Sequence, residues 1–156
     1  MILAIDPGNE KSAYALLGID LKPAEFGILE NEELLIRIPA LSHKAEHFAI
    51  EMVASYGMAV GKTVFDTVFW IGRFWETAAD NFMADKMKMV YRMEEKMALC
   101  HNSRAKDGNI RQALIDRFGV VGVKASPGWF YGVSKDVWAA IAVGVTYADL
   151  YLAKGA

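Results

Sequence analysis

At 156 residues, 54% of them hydrophobic, the chain has enough apolar material for one compact domain, read as residues 1–156, and too little length for two. Charged residues interrupt the apolar ones every few positions, which excludes a disordered tail and leaves no run long enough to cross a bilayer. The formal charge of −2 is unusual for a nucleic-acid binder, yet it is segregated: residues 1–85 hold 6 Lys/Arg against 13 Asp/Glu, and residues 86–124 hold 9 against 4.

An acidic portion able to gather carboxylates around a cation, followed by a basic stretch able to track phosphates, suits a metal site beside nucleic acid. The opening MILAIDPG lacks the basic and long apolar parts of a signal peptide, so an intracellular protein is expected. A single cysteine, Cys100, allows no intrachain disulfide and is read as a buried thiol.

In chain order, Ile2-Leu3-Ala4-Ile5 reads as a buried strand that ends at the Asp6-Pro7-Gly8 turn. Ser12–Ile19 and Glu33–Ile38 read as two further strands, joined by a Pro/Gly-bearing connection over Lys22–Gly27, which gives a three-stranded antiparallel start. Phe48–Ala54 is another short apolar run with one acid, Glu51, in its middle. Thr63 and Asp66 have the spacing of a capping box, and a helix is predicted over 63–80. That helix carries Phe65, Val68, Phe69, Trp70, Ile71, Phe74 and Trp75, too many for one stripe, so it is expected either to be sandwiched within the domain or to meet a second chain. Lys88–Arg92 reads as a strand, Ile110–Phe118 as a helix ended by Gly119, and Ser134–Leu152 as a final helix capped by Ser134 and rich in small residues. Strands first and helices later is an α/β pattern.

Two motifs are decoys. Gly57 to Thr63 resembles a phosphate-binding loop but has three residues between its glycines where that loop needs four. His43 and His47 are four apart but have neither an adjacent glutamate nor a third ligand in reach, and are read as surface histidines.

Three acids carry the chemistry. Asp6 sits where a buried strand runs out into a glycine turn, an arrangement that aims a carboxylate at a ligand. Glu51, flanked by Ala49-Ile50 and Met52-Val53, is costly to bury unless paired with a cation or a proton. Asp136 falls at the start of the last helix, where the macrodipole favours an anion. The run Ile5-Asp6-Pro7-Gly8 followed by Ala13-Tyr14, the pair Ile50-Glu51, and Asp136 ahead of an Ala-rich helix resemble, in order, the motifs of the RuvC-like Holliday junction resolvases of the RNase H-like superfamily. The small size and reduced acid set are similar to phage or prophage versions of that family.

The resemblance implies an RNase H-like α/β fold: a mixed central sheet, its first three strands antiparallel and further strands parallel, flanked by helices. It implies an endonuclease of branched DNA that uses Mg2+ or Mn2+ in a two-metal mechanism, with Asp6, Glu51 and Asp136 as ligands and Asp6 bridging the ions. RuvC-like nucleases place two aspartates three residues apart at the last helix; here positions 133 and 139 are Val and Ala, and Asp107 is the possible fourth acid. Arg104-Ala105-Lys106-Asp107 through Arg117 resembles the family's basic helix, which makes Lys106 the residue that steadies the scissile phosphate and adds Arg104, Arg111 and Lys62 as DNA contacts. It implies a homodimer, with Phe69, Trp70, Phe74 and Trp75 as its face, and an aromatic from the Tyr56–Gly61 loop, or Trp129 and Phe130, as a wedge at the branch point. The competing readings are a nuclease of RNA or RNA–DNA hybrids, a non-catalytic binder of branched DNA, a sugar-kinase or actin-like ATPase, and a structural subunit.

Overall fold

The computed structural model describes residues 1–153. Five strands form one sheet in the order β3-β2-β1-β4-β5: β1 Ile2–Asp6, β2 Lys11–Leu17, β3 Pro23–Glu30, β4 His47–Met52 and β5 Met87–Tyr91. The first three are antiparallel neighbours, while β1 pairs β4 and β4 pairs β5 in parallel. Five helices follow: α1 Asn31–Ser42, α2 Lys62–Ala79, α3 Arg92–Cys100, α4 Asp107–Phe118 and α5 Val137–Tyr147, which runs on as a π-helical turn over Ala148–Leu152. A small ribbon, β6 Gly122–Val123 with β7 Ser126–Pro127, lies between α4 and α5.

Side chains alternate across a strand, so the central strands feed two cores. Leu3, Ile5, Tyr14, Leu16, Phe48 and Ile50 face α1 and α2, meeting Leu34, Ile38, Ile71 and Phe74. Ile2, Ala4, Ala13, Ala15, Leu17, Ala49 and Val90 face α5, together with Ile110 and Leu114 of α4. The alanines on the second face let α5 lie close to the sheet. A Cβ at Gly144 would stand 2.5 Å from Leu17 Cδ1 and 3.1 Å from Ala4 Cβ.

The antiparallel start is as expected, but its third strand is Pro23–Glu30, the segment expected to be a connection. Pro23 is tolerated because β3 is an edge strand and the proline opens it. Glu33–Ile38, expected as a strand, lies in α1: its buried residues Leu34, Ile38 and Leu41 follow the helical i, i+4, i+7 pattern, and Ile36 is left exposed. The sequence does not announce α3, because its nine residues RMEEKMALC are short and begin with a charged stretch, Arg92, Glu94, Glu95 and Lys96, that reads as surface. At the start of α2, Gly61 occupies the cap position and no side chain caps it; Asp66 instead takes Lys62 Nζ at 2.5 Å. α5 begins at Val137, with Asp136 rather than Ser134 at its cap position.

Phe74, expected on the outer face of α2, is 0% exposed within the core; the outward residues there are Phe65 and Phe69, with Trp70 and Trp75 half-buried. Phe130 is also fully buried, and Trp129 stacks on Phe118 at 5.4 Å, so neither is presented as a wedge. His47, read as a surface residue, is half-buried in β4, with Nδ1 2.9 Å from Tyr147 Oη. Among the described residues no helix is long and apolar enough to cross a membrane.

The close seating of α5 predicts that Gly144→Val lowers stability by about 1–3 kcal/mol, measured by urea unfolding, because the new side chain collides with Leu17 and Ala4. A variant as stable as wild type would mean that α5 does not lie this close.

Candidate active site

Asp6 and Glu51 are neighbours by register. Ile5 pairs Ile50 across the parallel β1 and β4, so the next residue on each strand is an acid, and both acids follow the parity of Ala4 and Ala49 toward the α5 side. This is the carboxyl end of parallel strands, where open α/β sheets bind their ligands. Asp136 comes from the cap position of α5, reached through Lys135 with φ 51°, and Glu95 comes from the first turn of α3, which follows β5 directly.

The four carboxyls act on one another. Burial first, then contact with Glu51 and the charges of Asp136 and Glu95, push the Asp6 carboxyl from 3.8 up to about 9. Asp6 and Glu51 are within hydrogen-bonding reach, so a proton on Asp6 relieves their repulsion. Glu95 is pushed from 4.5 up to about 8, chiefly by burial and then by Glu51, against the opposing pull of Arg92. Arg92 spans two acids: its Nη1 donates to Glu95 Oε2 at 2.6 Å, and its Nη2 pairs with Asp107.

The turn that carries Asp6 is tied to α1. Gly8 N donates to Ser12 Oγ at 3.0 Å, Ser12 Oγ donates to Asn31 Oδ1 at 2.6 Å, and Asn31 Nδ2 donates to Gly8 O at 2.9 Å. Ser12 and Asn31 are both buried, so the ring satisfies polar groups that would otherwise be orphaned. Gly8 is required, because a Cβ there would stand 2.2 Å from Lys11 O.

The structure thus brings Asp6, Glu51 and Asp136 to one end of the sheet and adds Glu95, which the sequence reading missed. Asp107 lies on the outer side of Arg92, its side chain 94% exposed. As the side chains stand, no three His, Cys, Asp or Glu among the described residues form a set that could hold a metal ion. The donors fit a hard divalent cation in kind, since all are carboxylate oxygens and one of them, Glu95 Oε1, is buried without a partner. Closing them around an ion requires side-chain rotation.

Arg111, Lys135 and Arg92 share a cleft with Asp136 and Trp138, and Arg111 lies 4.8 Å over the Trp138 ring. Lys106 and Arg104 are exposed at the start of α4, where the Lys106 backbone N–H donates to Asn109 Oδ1. Lys62 stands apart at the start of α2, paired with Asp66.

No protein-family model matches the chain, and no curated protein matches it in sequence. Among solved structures, Thermus thermophilus RuvC superposes with a TM-score of 0.71 at 16% identity, covering 99% of this chain and 96% of that one. The chain has a RuvC-like, RNase H-like fold. A structure of T. thermophilus RuvC in complex with a Holliday junction substrate superposes equally, with a TM-score of 0.71 at 17% identity, over 99% of this chain and 95% of that one.

The raised carboxyls set the pH dependence of stability in the absence of divalent ions. In the folded chain Asp6 and Glu95 stay protonated, while in the unfolded chain they ionise near their ordinary values. Stability therefore falls as pH rises from about 4 toward about 9 for Asp6 and about 8 for Glu95, and levels off above. Burial lowers the His47 value, which costs stability only below its ordinary 6.5. With chelator present, the melting temperature is expected to drop between pH 6.5 and 8.5. Asp6→Asn is expected to remove the Asp6 share of that slope, leaving the share due to Glu95, and to gain about 0.5–2 kcal/mol at pH 8. A flat wild-type profile over this range would contradict the crowding of the four acids.

Proposed function

We propose that the chain, acting through residues 1–156 as one nuclease domain, is a metal-dependent endonuclease of branched DNA such as Holliday junctions. The observation that carries this reading is Asp6 beside Glu51 at the carboxyl ends of the parallel β1 and β4, with Asp136 at the cap of α5 on the same side of the sheet, on a RuvC-like fold. Asp6, Glu51 and Asp136 would hold Mg2+ or Mn2+ through oxygen donors. Such an ion, when bound, lowers the pKa of a coordinated water and draws charge from a phosphate.

The chain's own residues supply the rest. The backbone and side-chain ring of Gly8, Ser12 and Asn31 fixes where Asp6 points. Burial and the neighbouring Glu51 favour the protonated form of Asp6, so a proton must leave before both acids can act as ionised ligands. Lys106, exposed at the head of α4, steadies the scissile phosphate, and Arg104, Arg111 and Lys135 extend the positive track beside Asp136. Lys62 touches the backbone farther out. On α2, Phe65 and Phe69, 65% and 63% exposed, are the residues a second copy would cover, with Trp70 and Trp75 at their margin. A dimer would let the two strands of a junction be cut in pairs. Tyr56 and Met58, exposed before α2, replace Trp129 and Phe130 as the wedge at the branch point. The protein would work inside the cell, on DNA.

A second reading, a binder of branched DNA that does not cut, is favoured by one observation: the acids as they stand form no metal-holding set. A four-way-junction cleavage assay in Mg2+ and in Mn2+ separates the two. Wild type is expected to cut; Asp6→Asn and Glu51→Gln are expected to lose more than the 10–100-fold typical of changes around a ligand, and to keep junction binding. Wild type that binds junctions and cuts them with neither metal would overturn the nuclease reading in favour of the binder.

A further inference from the structure

Glu95 is a buried acid that the roles above leave without a task. Its side chain is 0% exposed, in the first turn of α3. Arg92 Nη1 holds one oxygen, Oε2, at 2.6 Å, while the other, Oε1, is buried and has no hydrogen-bond partner. A carboxylate kept only to neutralise Arg92 has no reason for this placement, because Asp107 already pairs with the same guanidinium from an exposed position. β5 runs beside β4 with Val90 opposite Glu51, and α3 starts directly after β5 and packs against α5, so buried Glu95 lies at the same end and on the same face of the sheet as Glu51 and the cap of α5. At the head of α5, Val133 and Ala139, three residues either side of Asp136, carry no ligating group.

We propose that Glu95 is the fourth carboxylate of the site: its free Oε1 is a ligand for the divalent ion that Asp6, Glu51 and Asp136 would hold, and Arg92 is the positioning residue that fixes its other oxygen. This rests on the metal-site reading of the preceding section. The fourth acid is thus delivered from the helix after β5, across the site from α5. The guanidinium grips Oε2 from the Asp107 side and orients the carboxylate with one oxygen free. The donor set becomes four carboxylates contributed by four elements, β1, β4, α3 and the cap of α5.

The test is a Mn2+ titration of the full-length protein, with free Mn2+ read by electron paramagnetic resonance and no DNA or turnover involved. Glu95→Gln keeps the shape and removes the charge. It is expected to bind Mn2+ at least about 10-fold more weakly, or one ion fewer, than wild type. In chelator it is expected to melt no lower than wild type, since the amide keeps the side chain's shape and is neutral, as the protonated carboxyl is. Equal Mn2+ affinity and stoichiometry in Glu95→Gln and wild type would overturn the proposal, and a lowered melting temperature alongside equal binding would assign Glu95 a purely structural role. Should Glu95→Gln fail to fold, Glu95→Asp serves: the shorter carboxylate is expected to weaken Mn2+ binding, and unchanged affinity overturns the proposal. Asp6→Asn separates the two levels. If it weakens Mn2+ binding and Glu95→Gln does not, only the role of Glu95 falls; if wild type binds no Mn2+, the metal site itself falls and this inference with it.

Discussion

Negative charges held close together repel strongly, the more so where water is scarce, and the end of this sheet gathers four carboxyls: Glu95 fully buried, Asp6 and Glu51 half-buried, and Asp136 exposed at the rim. Asp6 and Glu51 are side by side because β1 and β4 are parallel and in register at Ile5 and Ile50. The register fixes the two Cα positions side by side, so the closeness of the two acids is built into the topology. A proton on Asp6 and the Arg92 guanidinium beside Glu95 offset part of it. A divalent cation would offset it more completely, and burial is what gives such an ion its advantage over a surface site, because attraction grows as the dielectric falls.

Much of the remaining architecture serves to keep these carboxyls where they are. The alanines at positions 4, 13, 15 and 49 and Gly144 allow α5 to settle against the sheet, which brings the Asp136 cap down to the strand ends. The Gly8–Ser12–Asn31 ring locks the turn after Asp6 to the start of α1. On the opposite face, larger residues such as Phe48, Phe74 and Ile71 fill the space under α1 and α2. Small residues on one face and large ones on the other thus follow from a site that lies on one side of the sheet only.

Asp6, Glu51 and Asp136 were legible in the sequence because each breaks an apolar run or heads one, and a buried acid in such a place demands a partner. The central strands were legible for the same reason, since short apolar runs bounded by turns have few other solutions. Three features were not. Pro23–Glu30 looked like a turn because its proline and glycine carry more local signal than its pairing, which only the neighbouring β2 reveals. Glu33–Ile38 mimics alternation over six residues, and the helical spacing of Leu34, Ile38 and Leu41 becomes decisive only when Leu41 is included. Glu95 sits beside Glu94 in a charged stretch that reads as a solvated helix; the one available signal was that Arg92, three residues earlier, is its helical neighbour. Asn31 and Ser12 gave no signal at all, because their value lies in a contact 19 residues apart.

A RuvC-like fold at 16% identity fixes the scaffold and leaves the chemistry to the acids on it. The central claim is that Asp6 and Glu51 are placed to share one divalent ion. Crystals of the protein grown in Mn2+ and measured at the manganese absorption edge test it most directly. An anomalous peak is expected between the two carboxyls, at about the 2.0–2.1 Å ligand distance of a small divalent ion, with both side chains turned toward it. Well-ordered Asp6 and Glu51 carboxyls that remain in contact with each other, with no anomalous density between them at millimolar Mn2+, would contradict it.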